Sequence, residues 1–287
     1  MLRILIIGGN RFFGKHLAKR LLAAGDRVTL LNRGNIDDGL DSKVERLKAD
    51  RTDEESLGAV LRNRDWDLVY DQVCYTAAEA RLTAGLLKGR CGRLIVTSTE
   101  SVYDYGADQP EENFDPRTHS FTTEATPNVD YQAAKRQVEA VYTAAFPDVV
   151  LPRPSLVVGP DDYTGRLRWH VERVRDGKPI YFPSLDVGAD FITSAQMAEA
   201  LGVIGEGQTT GPVNCTTPGH VPLRELVAMC ERATGKRAVI AERHDGENHS
   251  PFANPTTKTM NTDRLRTLGL AFPSSVDWLE SLVRNLA

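Results

Sequence analysis

The sequence lacks long apolar runs, paired cysteine motifs and any excess of basic residues. No apolar stretch among the 287 residues approaches the about 20 that a membrane-spanning helix needs, so we expect no membrane association. Four cysteines are scattered without a CxxC pair, which favours buried free thiols in a reducing compartment. Lys plus Arg number 35 against 39 Asp plus Glu, and this net charge of −4 argues against nucleic acid as a partner.

Internal repeats, low-complexity tracts and the marks of a secretory leader are also missing. Hydrophobic residues make up 41% and charged residues 26% of the chain, which excludes global disorder. The first apolar segment, Leu2–Ile7, has no basic region before it and runs directly into a glycine turn. We therefore expect a cytoplasmic globular protein with one large domain or two small ones.

The first half of the chain alternates short apolar runs with segments of helical period. The predicted strands are Leu2–Ile7, Arg27–Leu31, Val44–Lys48, Leu68–Cys74, Arg93–Ser98, Val149–Pro152 and Leu156–Val158. The predicted helices are Phe13–Ala24, Ser56–Arg62, Ala77–Leu87 and Tyr131–Ala145. Strands that alternate with helices and cross over with the right hand predict an α/β fold with a doubly wound parallel sheet.

After Gly159 the pattern changes to shorter elements. Helices are predicted at Arg166–Arg175, Ala195–Gly202 and Pro222–Thr234, and strands at Asp190–Thr193 and Val213–Cys215. His170 is expected to face solvent, and the polar segment His244–Thr259 is expected to form a surface loop or lid. We predict one domain of residues 1–158 plus about 189–212, and a smaller α+β portion of residues 159–188 plus 213–287.

A glycine-rich turn follows the first strand and opens the first helix. It contains the predicted cofactor contacts Gly8, Asn10, Arg11, Phe12, Phe13 and Gly14. Gly8 permits the tight turn, Gly14 permits close helix packing, and the helix N-terminus attracts a pyrophosphate. Arg11 replaces the middle glycine of the usual spacing. The alternative is a purely structural turn.

The two residues that directly follow the second predicted strand indicate which dinucleotide is bound. Folds that prefer NAD often have an acidic residue here for the ribose 2′-OH, whereas this chain has Asn32 and Arg33. Arg33 can pair with a 2′-phosphate, and Arg11 can reach the same group. We predict NADP, with NAD as the second choice. The alternative is that Arg33 is a solvated loop charge.

A tyrosine, a lysine and a hydroxyl residue predict acid–base chemistry. Tyr131 and Lys135 are four residues apart on a predicted helix and therefore share a face. A nearby ammonium lowers the pKa of a phenol, which makes Tyr131 a usable acid or base. Thr99, just after a strand, can hold the substrate oxygen. Cys74 is predicted to be a small residue beside the cofactor, and His244 with His249 is not expected to bind metal.

In these motifs the chain resembles extended short-chain dehydrogenases/reductases of the NAD-dependent epimerase/dehydratase family, over residues 1–160. The resemblance implies a Rossmann fold and adds Asp50 and Arg51, after the third strand, and Pro154 to the predicted cofactor contacts. Tyr131 and Lys135 are also predicted cofactor contacts, with Lys135 holding the ribose. It also implies that Thr99, four residues before Tyr103, orients the substrate. Arg11 is similar to an arginine of many NADP-using members, and to one in a plant plastid branch that binds RNA.

The resemblance implies an NAD(P)-dependent oxidoreductase or epimerase that acts on a hydroxyl or carbonyl of a small molecule, held by residues 159–188 plus 213–287. A homodimer is among the expected partners, since many members of the family dimerise. The alternatives are an RNA-associated or regulatory protein on the same fold, and a nucleotide-sugar dehydratase that uses Glu100. Sugar-nucleotide members have an arginine where this chain has Ala189. We therefore expect nucleotide sugars to bind poorly unless Arg166, Arg168 or Arg173 substitutes.

Overall fold

The computed structural model describes residues 1–40 and 42–287, which form two compact units. The first unit contains residues 1–103, 111–154 and 197–214. The second contains residues 104–110, 155–196 and 215–287. The assignment of the cofactor to the first unit and of the substrate to the second stays a prediction.

The strands of the described residues are mostly three to six residues long. In chain order they are β1 (Arg3–Ile7), β2 (Arg27–Asn32), β3 (Glu45–Lys48), β4 (Leu68–Asp71), β5 (Leu94–Val96), β6 (Gly106–Gln109), β7 (Val150–Pro154), β8 (Leu156–Val158), β9 (Pro179–Tyr181), β10 (Gly188–Ala189), β11 (Phe191–Thr193), β12 (Gly211–Cys215), β13 (Val221–Pro222), β14 (Val239–Ala241) and β15 (Lys258–Met260).

The α-helices follow the same chain order. They are α1 (Phe12–Ala23), α2 (Glu54–Leu61), α3 (Ala77–Leu87), α4 (Tyr131–Ala145), α5 (Arg166–Arg175), α6 (Ser194–Glu206), α7 (Leu223–Thr234), α8 (Asp263–Thr267) and α9 (Ser275–Leu286). Among the described residues, none of these helices has both the length and the apolar character that crossing a bilayer requires.

The first unit is built on a seven-stranded sheet in the order β12-β7-β5-β4-β1-β2-β3. The pairs from β7 across to β3 are parallel, which confirms the predicted doubly wound α/β fold. Residues Ile4–Ile7 of β1 are fully buried because β1 lies between β2 and β4. The chain order reverses between β1 and β4, and the carboxyl ends of strands at such a reversal form a ligand-binding crevice.

The second unit combines small sheets with packed helices. Strands β13, β10, β15 and β6 form a four-stranded sheet, while β8 pairs with β11 and β9 pairs with β14. Helices α5, α7 and α9 pack on one another around an apolar core that includes Val171, Leu226 and Val283. The predicted smaller α+β portion is therefore present.

Two expectations for the second half were wrong. His170 is 1% exposed rather than solvent-facing, because it lies on the apolar side of α5 with Leu167, Val171 and Val174. Its ring stacks on Phe252, 4.8 Å between centroids. The segment 244–259 is also not a simple surface loop, since Asn248, Ser250, Phe252 and Thr259 are buried.

Candidate active site

The glycine turn packs as tightly as its sequence suggests. Gly8 and Gly9 have φ angles of 91° and 74°, a region that favours glycine. A Cβ atom on Gly14 would lie 2.5 Å from the Cα atom of Gly9, so only glycine lets α1 begin this close to the turn. Arg11 is the exposed residue that precedes α1.

A cavity of about 350 Å³ opens at the carboxyl ends of β1, β2, β3 and β4. This is the edge of the sheet at which the chain order reverses. The lining residues are Ile7, Gly8, Asn10, Leu31, Asn32, Arg33, Gly34, Asn35, Ile36, Ala49, Asp50, Arg51, Thr52, Val73, Tyr75 and Glu79.

Some of the predicted cofactor residues line this cavity and others do not. Those that line it are Gly8, Asn10, Asn32, Arg33, Asp50 and Arg51. Those outside its lining are Arg11, Phe12, Phe13, Gly14, Cys74, Tyr131, Lys135 and Pro154. The sequence analysis missed Val73, Tyr75 and Glu79. Their signal was their position directly after β4, since residues after neighbouring parallel strands meet at one edge.

The loops after β2 and β3 place a cation and a carboxylate at the cavity. Asn32 Oδ1 accepts a hydrogen bond of 2.8 Å from the backbone N–H of Gly34, which fixes the turn that carries the exposed Arg33. Asp50 accepts hydrogen bonds from the backbone and side chain of Thr52. These bonds, the backbone one first, and then the charge of Arg33 lower the pKa of Asp50 below its ordinary value.

Arg51 is held by a buried carboxylate. Its Nη1 and Nη2 atoms donate to the two oxygens of Asp71 at 2.7 and 3.0 Å. Tyr142 Oη donates to Asp71 at 2.6 Å. Burial alone would raise the pKa of Asp71, but the charge and hydrogen bonds of Arg51 hold it below the ordinary value. Arg51 thus joins the loop after β3 to the end of β4 while lining the cavity.

Lys135 ties α4 to the ends of two central strands. The side chain is 2% exposed, and Nζ donates to the carbonyl oxygens of Cys74 and Thr97 at 2.8 and 3.0 Å. Burial lowers the pKa of Lys135 below its ordinary value. Tyr131, the first residue of α4, lies one turn away and is 39% exposed. The structure therefore has the predicted pair on one helix, with the lysine buried and the tyrosine accessible.

Hydroxyl residues directly follow β5, starting with Thr97, whose carbonyl oxygen accepts a hydrogen bond from Lys135. Thr99 is half-buried, and its Oγ1 accepts a hydrogen bond of 3.1 Å from Ser101 N, which starts the short 3₁₀ turn Glu100–Val102. Thr97 Oγ1 and Ser98 Oγ are buried without a hydrogen-bond partner in the part of the chain that the structure describes.

A buried ion pair that the sequence analysis did not identify fixes α4 against β7. Glu139, four residues after Lys135, accepts hydrogen bonds from Arg153 Nε and Nη2 at 3.0 and 2.6 Å, and both side chains are fully buried. Arg153 Nη1 donates to Tyr103 Oη at 2.8 Å. The pair therefore positions the helix that carries Tyr131 and Lys135.

Cys74 is fully buried beside β4, and His244 and His249 lie close together in the second unit. Burial raises the pKa of the Cys74 thiol to about 12, so the thiolate nucleophile is inaccessible. The rings of His244 and His249 are 5.2 Å apart. No cluster of three His, Cys, Asp or Glu side chains suited to a metal occurs among residues 1–40 and 42–287.

In the second unit, Ala189 is buried on β10, and the three candidate substitute arginines differ. Arg166 donates to Thr164 and to the carbonyl of Val157. Arg173 donates to the carbonyls of Pro179 and Glu247. Arg168 is exposed and has no polar partner in the described residues. Of the three, Arg168 is the one available to an anionic ligand.

A sequence model of the NAD dependent epimerase/dehydratase family matches residues 4–84 and 74–214. The chain belongs to this family. The resemblance inferred from the motifs is thereby confirmed, and the family also accounts for the parallel sheet and the glycine turn of the first unit.

Individual relatives share at most about a third of their aligned residues with this chain. Chloroplast stem-loop binding protein of 41 kDa b from Arabidopsis thaliana is 26% identical over 254 residues, 81% of this chain and 63% of that protein. The 2′-dehydrokanamycin reductase of Streptomyces kanamyceticus is 30% identical over 150 residues, 51% of this chain and 39% of the reductase. The matched region thus spans less than two thirds of either relative.

Among solved structures, the fold resembles UDP-glucose 4-epimerase from Thermus thermophilus in complex with NAD. The TM-score is 0.71 and the identity 19%, over 98% of this chain and 96% of the epimerase. At this identity the match supports the Rossmann-type fold and nothing finer.

Proposed function

We propose that the protein is an NAD(P)-dependent oxidoreductase or epimerase that acts on a hydroxyl or carbonyl group of a small molecule. The observation that carries this proposal is the buried Lys135, fixed to the ends of β4 and β5, with the accessible Tyr131 one turn away. Structural relatives that bind NAD, and a reductase among the sequence relatives, support it.

The cavity of the first unit fits a dinucleotide. Gly8 lines it, and a Cβ atom there would lie 2.8 Å from Val73 Cγ1, so glycine keeps this wall clear. Asp50 offers a carboxylate to an adenine, and the N-terminus of α1 offers backbone N–H groups to a pyrophosphate. When bound, the nicotinamide would supply hydride exchange with the substrate carbon.

The chain's own residues supply the proton chemistry. Tyr131 Oη holds the proton that is exchanged with the substrate oxygen, and its exposure gives the substrate access. Lys135 contributes a positive charge that favours the phenolate, since an opposite charge stabilises the ionised form. Thr99 Oγ1 hydrogen-bonds to the substrate oxygen and orients it. The Glu139–Arg153 pair fixes the position of α4 against β7 of the sheet.

NADP is the preferred dinucleotide in this proposal, with NAD second. Arg33 is exposed at the cavity, where its guanidinium can pair with a 2′-phosphate. Asn32 gives no carboxylate that would repel this phosphate. Arg11 lies outside the cavity lining, so the preference rests on Arg33 more than on Arg11.

The preferred substrate is a small carbonyl or polyol compound without a diphosphate. A buried diphosphate needs matched cations, and the second unit has Ala189 in place of the expected arginine. A thermal-shift comparison of UDP-glucose with uncharged sugars, on NADP-loaded protein, tests this. A strong shift with UDP-glucose that disappears in Arg168→Ala would show that Arg168 replaces the missing arginine.

The catalytic assignment is tested with Tyr131→Phe, with Tyr163→Phe as the matched control because Tyr163 is also an exposed tyrosine. General acid–base groups contribute about 100- to 10,000-fold, so Tyr131→Phe should lose most turnover while binding NADPH normally. Turnover at the wild-type rate would disprove the role of Tyr131.

A second candidate is RNA binding, favoured by the match to the chloroplast stem-loop binding protein. The two proposals differ in their response to salt, because phosphate-backbone binding weakens steeply as salt rises. Filter binding of a stem-loop RNA across a salt series distinguishes them. Tight, salt-dependent binding that NADPH does not affect would favour the RNA-binding protein.

A further inference from the structure

A second cavity, of about 300 Å³, lies entirely within the second unit. Its size is at the lower end of the range for small-molecule sites. Its lining residues include Asp108, Asp190 and Asp263, together with His220 and three threonines, and no lysine or arginine among those described. Asp263 pairs with the exposed Arg266 outside the lining. The motifs of the sequence assign it no role.

Asp190 is the unusual member of this lining. It is 4% exposed, and its Oδ2 accepts one hydrogen bond of 2.6 Å from Met260 N. Within the described chain, Oδ1 has no hydrogen-bond partner and no cation pairs with the carboxyl group. By contrast, the fully buried Asp71 accepts bonds from Arg51, Tyr142 and the backbone of Val73.

A buried carboxylate with one donor and no counter-ion is unfavourable, so the group either takes a proton or needs an external cation. Burial first, and then the charge of Asp108, raise the pKa of Asp190 to about 7. Asp108 lies at the same cavity. Its backbone N–H donates to Thr259 Oγ1 at 2.9 Å, and its Oδ1 accepts from Asn261 Nδ2 at 3.3 Å.

The chemistry of the lining favours an organic ammonium over a metal ion. The described residues contain no set of three ligating side chains arranged for a metal. The cavity is much larger than a bare ion, and hydroxyl and amide groups of Thr259, Asn261 and Thr262 lie around the carboxyl groups. An ammonium donates three hydrogen bonds, and neighbouring hydroxyls on the same ligand match these polar groups.

We propose that this cavity binds a small amino-alcohol or amino-sugar ligand. Its ammonium group donates to Asp190 Oδ1 and to the Asp108 carboxylate, and its hydroxyl groups face the threonine and asparagine side chains. The ligand supplies the cation that the fold itself does not provide for Asp190. The proposal does not depend on the proposed reaction, because it concerns binding within the second unit alone.

Glucosamine and glucose are the matched probes, because they differ by an ammonium in place of one hydroxyl. Binding is measured by calorimetry and by the NMR shift of the Met260 amide, which donates to Asp190. We expect glucosamine to move the Met260 signal and to bind at least about tenfold more tightly than glucose, because hydrogen bonds between charged groups are the stronger ones.

Variants locate the site. Asp190→Asn and Asp108→Asn should each weaken glucosamine binding by about tenfold or more. Asp108 has a φ of 51°, which asparagine tolerates, so Asp108→Asn should fold even if Asp190→Asn does not. Asp277→Asn removes the same charge from an exposed position of α9 outside the cavity, and should bind glucosamine like the wild type.

The pH dependence adds an independent measurement. Because Asp190 must be ionised to accept an ammonium, binding should tighten as the pH rises from 5 to 7, toward the pKa of about 7 and while the sugar amine is still protonated. The other titratable groups facing the cavity are Asp108 on β6, His220 before β13 and Asp263 on α8. The dependence should be lost in Asp190→Asn and retained in His220→Gln.

Several results would overturn the proposal. These are no binding of glucosamine up to millimolar concentrations, equal binding of glucosamine and glucose, or unchanged affinity in both Asp190→Asn and Asp108→Asn. A shift of distant amides without Met260 would place the ligand elsewhere and would also contradict it.

Discussion

The two units of the molecule differ in how they accommodate buried ionisable groups. In the first unit, Asp71 meets Arg51, Glu139 meets Arg153, and Lys135 donates to two carbonyl oxygens. In the second unit, Asp190 has a single backbone donor. His170 is buried between Arg166 O and Ser250 Oγ, with aromatic rings on either side.

This difference indicates what each set of groups does. The bonds of the first unit fix the position of α4 and of the cavity loops, and they keep the charges of Asp71 and Arg153 unchanged near neutral pH. By contrast, His170 and Asp190 of the second unit change protonation between about pH 4 and pH 7. Burial lowers the pKa of His170 to about 4 and raises that of Asp190 to about 7. Stability and ligand binding in the second unit should therefore depend on pH.

The largest effect is expected when a compensated pair of the first unit is broken. Arg153→Met leaves Glu139 buried without its cation, which should destabilise the protein by about 3–5 kcal/mol in urea unfolding. Arg153→Met/Glu139→Gln removes both charges and should recover part of this loss. If the double variant is no more stable than the single one, packing rather than charge accounts for the effect.

The fold of the first unit could be predicted because its strands are buried runs separated by helices with clear period, and α3 and α4 were predicted to the residue. Strands β10 and β13 have two residues each, too few for any alternation to appear. Helix α9 has apolar residues at Leu279, Val283 and Leu286, a spacing that would have predicted it.

The candidate site was only partly accessible from sequence. Asn32 and Arg33 were found because they follow the second strand, where dinucleotide-binding folds discriminate between cofactors, and Asp50 was found through the family resemblance. The Glu139–Arg153 pair was missed, since a charged residue on a helix ordinarily faces solvent and the partner is distant in the chain. His170 was assigned to solvent, although its spacing from Leu167, Val171 and Val174 indicated the apolar face.

The second largest effect is expected at Asp190. Its raised pKa means that the folded protein holds a proton that the unfolded chain has lost, so this group reduces stability as the pH rises from 3.8 to about 7. Asp190→Asn removes the cost and keeps an oxygen for Met260 N. We expect it to be more stable than the wild type by about 1–3 kcal/mol at pH 8, without that gain at pH 4, in unfolding curves recorded without amine.

His170 should produce the opposite slope. Its lowered pKa means that the unfolded chain takes up a proton first, so stability falls as the pH drops from 6.5 toward 4. In the wild type this slope and that of Asp190 partly cancel. His170→Gln should therefore lose stability as the pH rises through this window, by up to about 1.4 kcal/mol per pH unit, whereas Asp190→Asn should gain it. Parallel curves for the two variants would contradict both assignments.

The smallest effect is expected for an exposed charge, Arg33, at the cavity of the first unit. It is solvated in the protein, so its replacement should leave stability nearly unchanged, unlike that of Arg153. Its proposed partner is the 2′-phosphate of NADP, and solvent weakens such a pair. Arg33→Ala should lower the preference for NADPH over NADH by about three- to tenfold in calorimetry, with NADH affinity unchanged.

Arg62→Ala, which removes an exposed arginine outside the cavity, is the control. An unchanged NADPH to NADH ratio in Arg33→Ala would leave Arg33 as a solvated loop charge and would favour NAD as the cofactor.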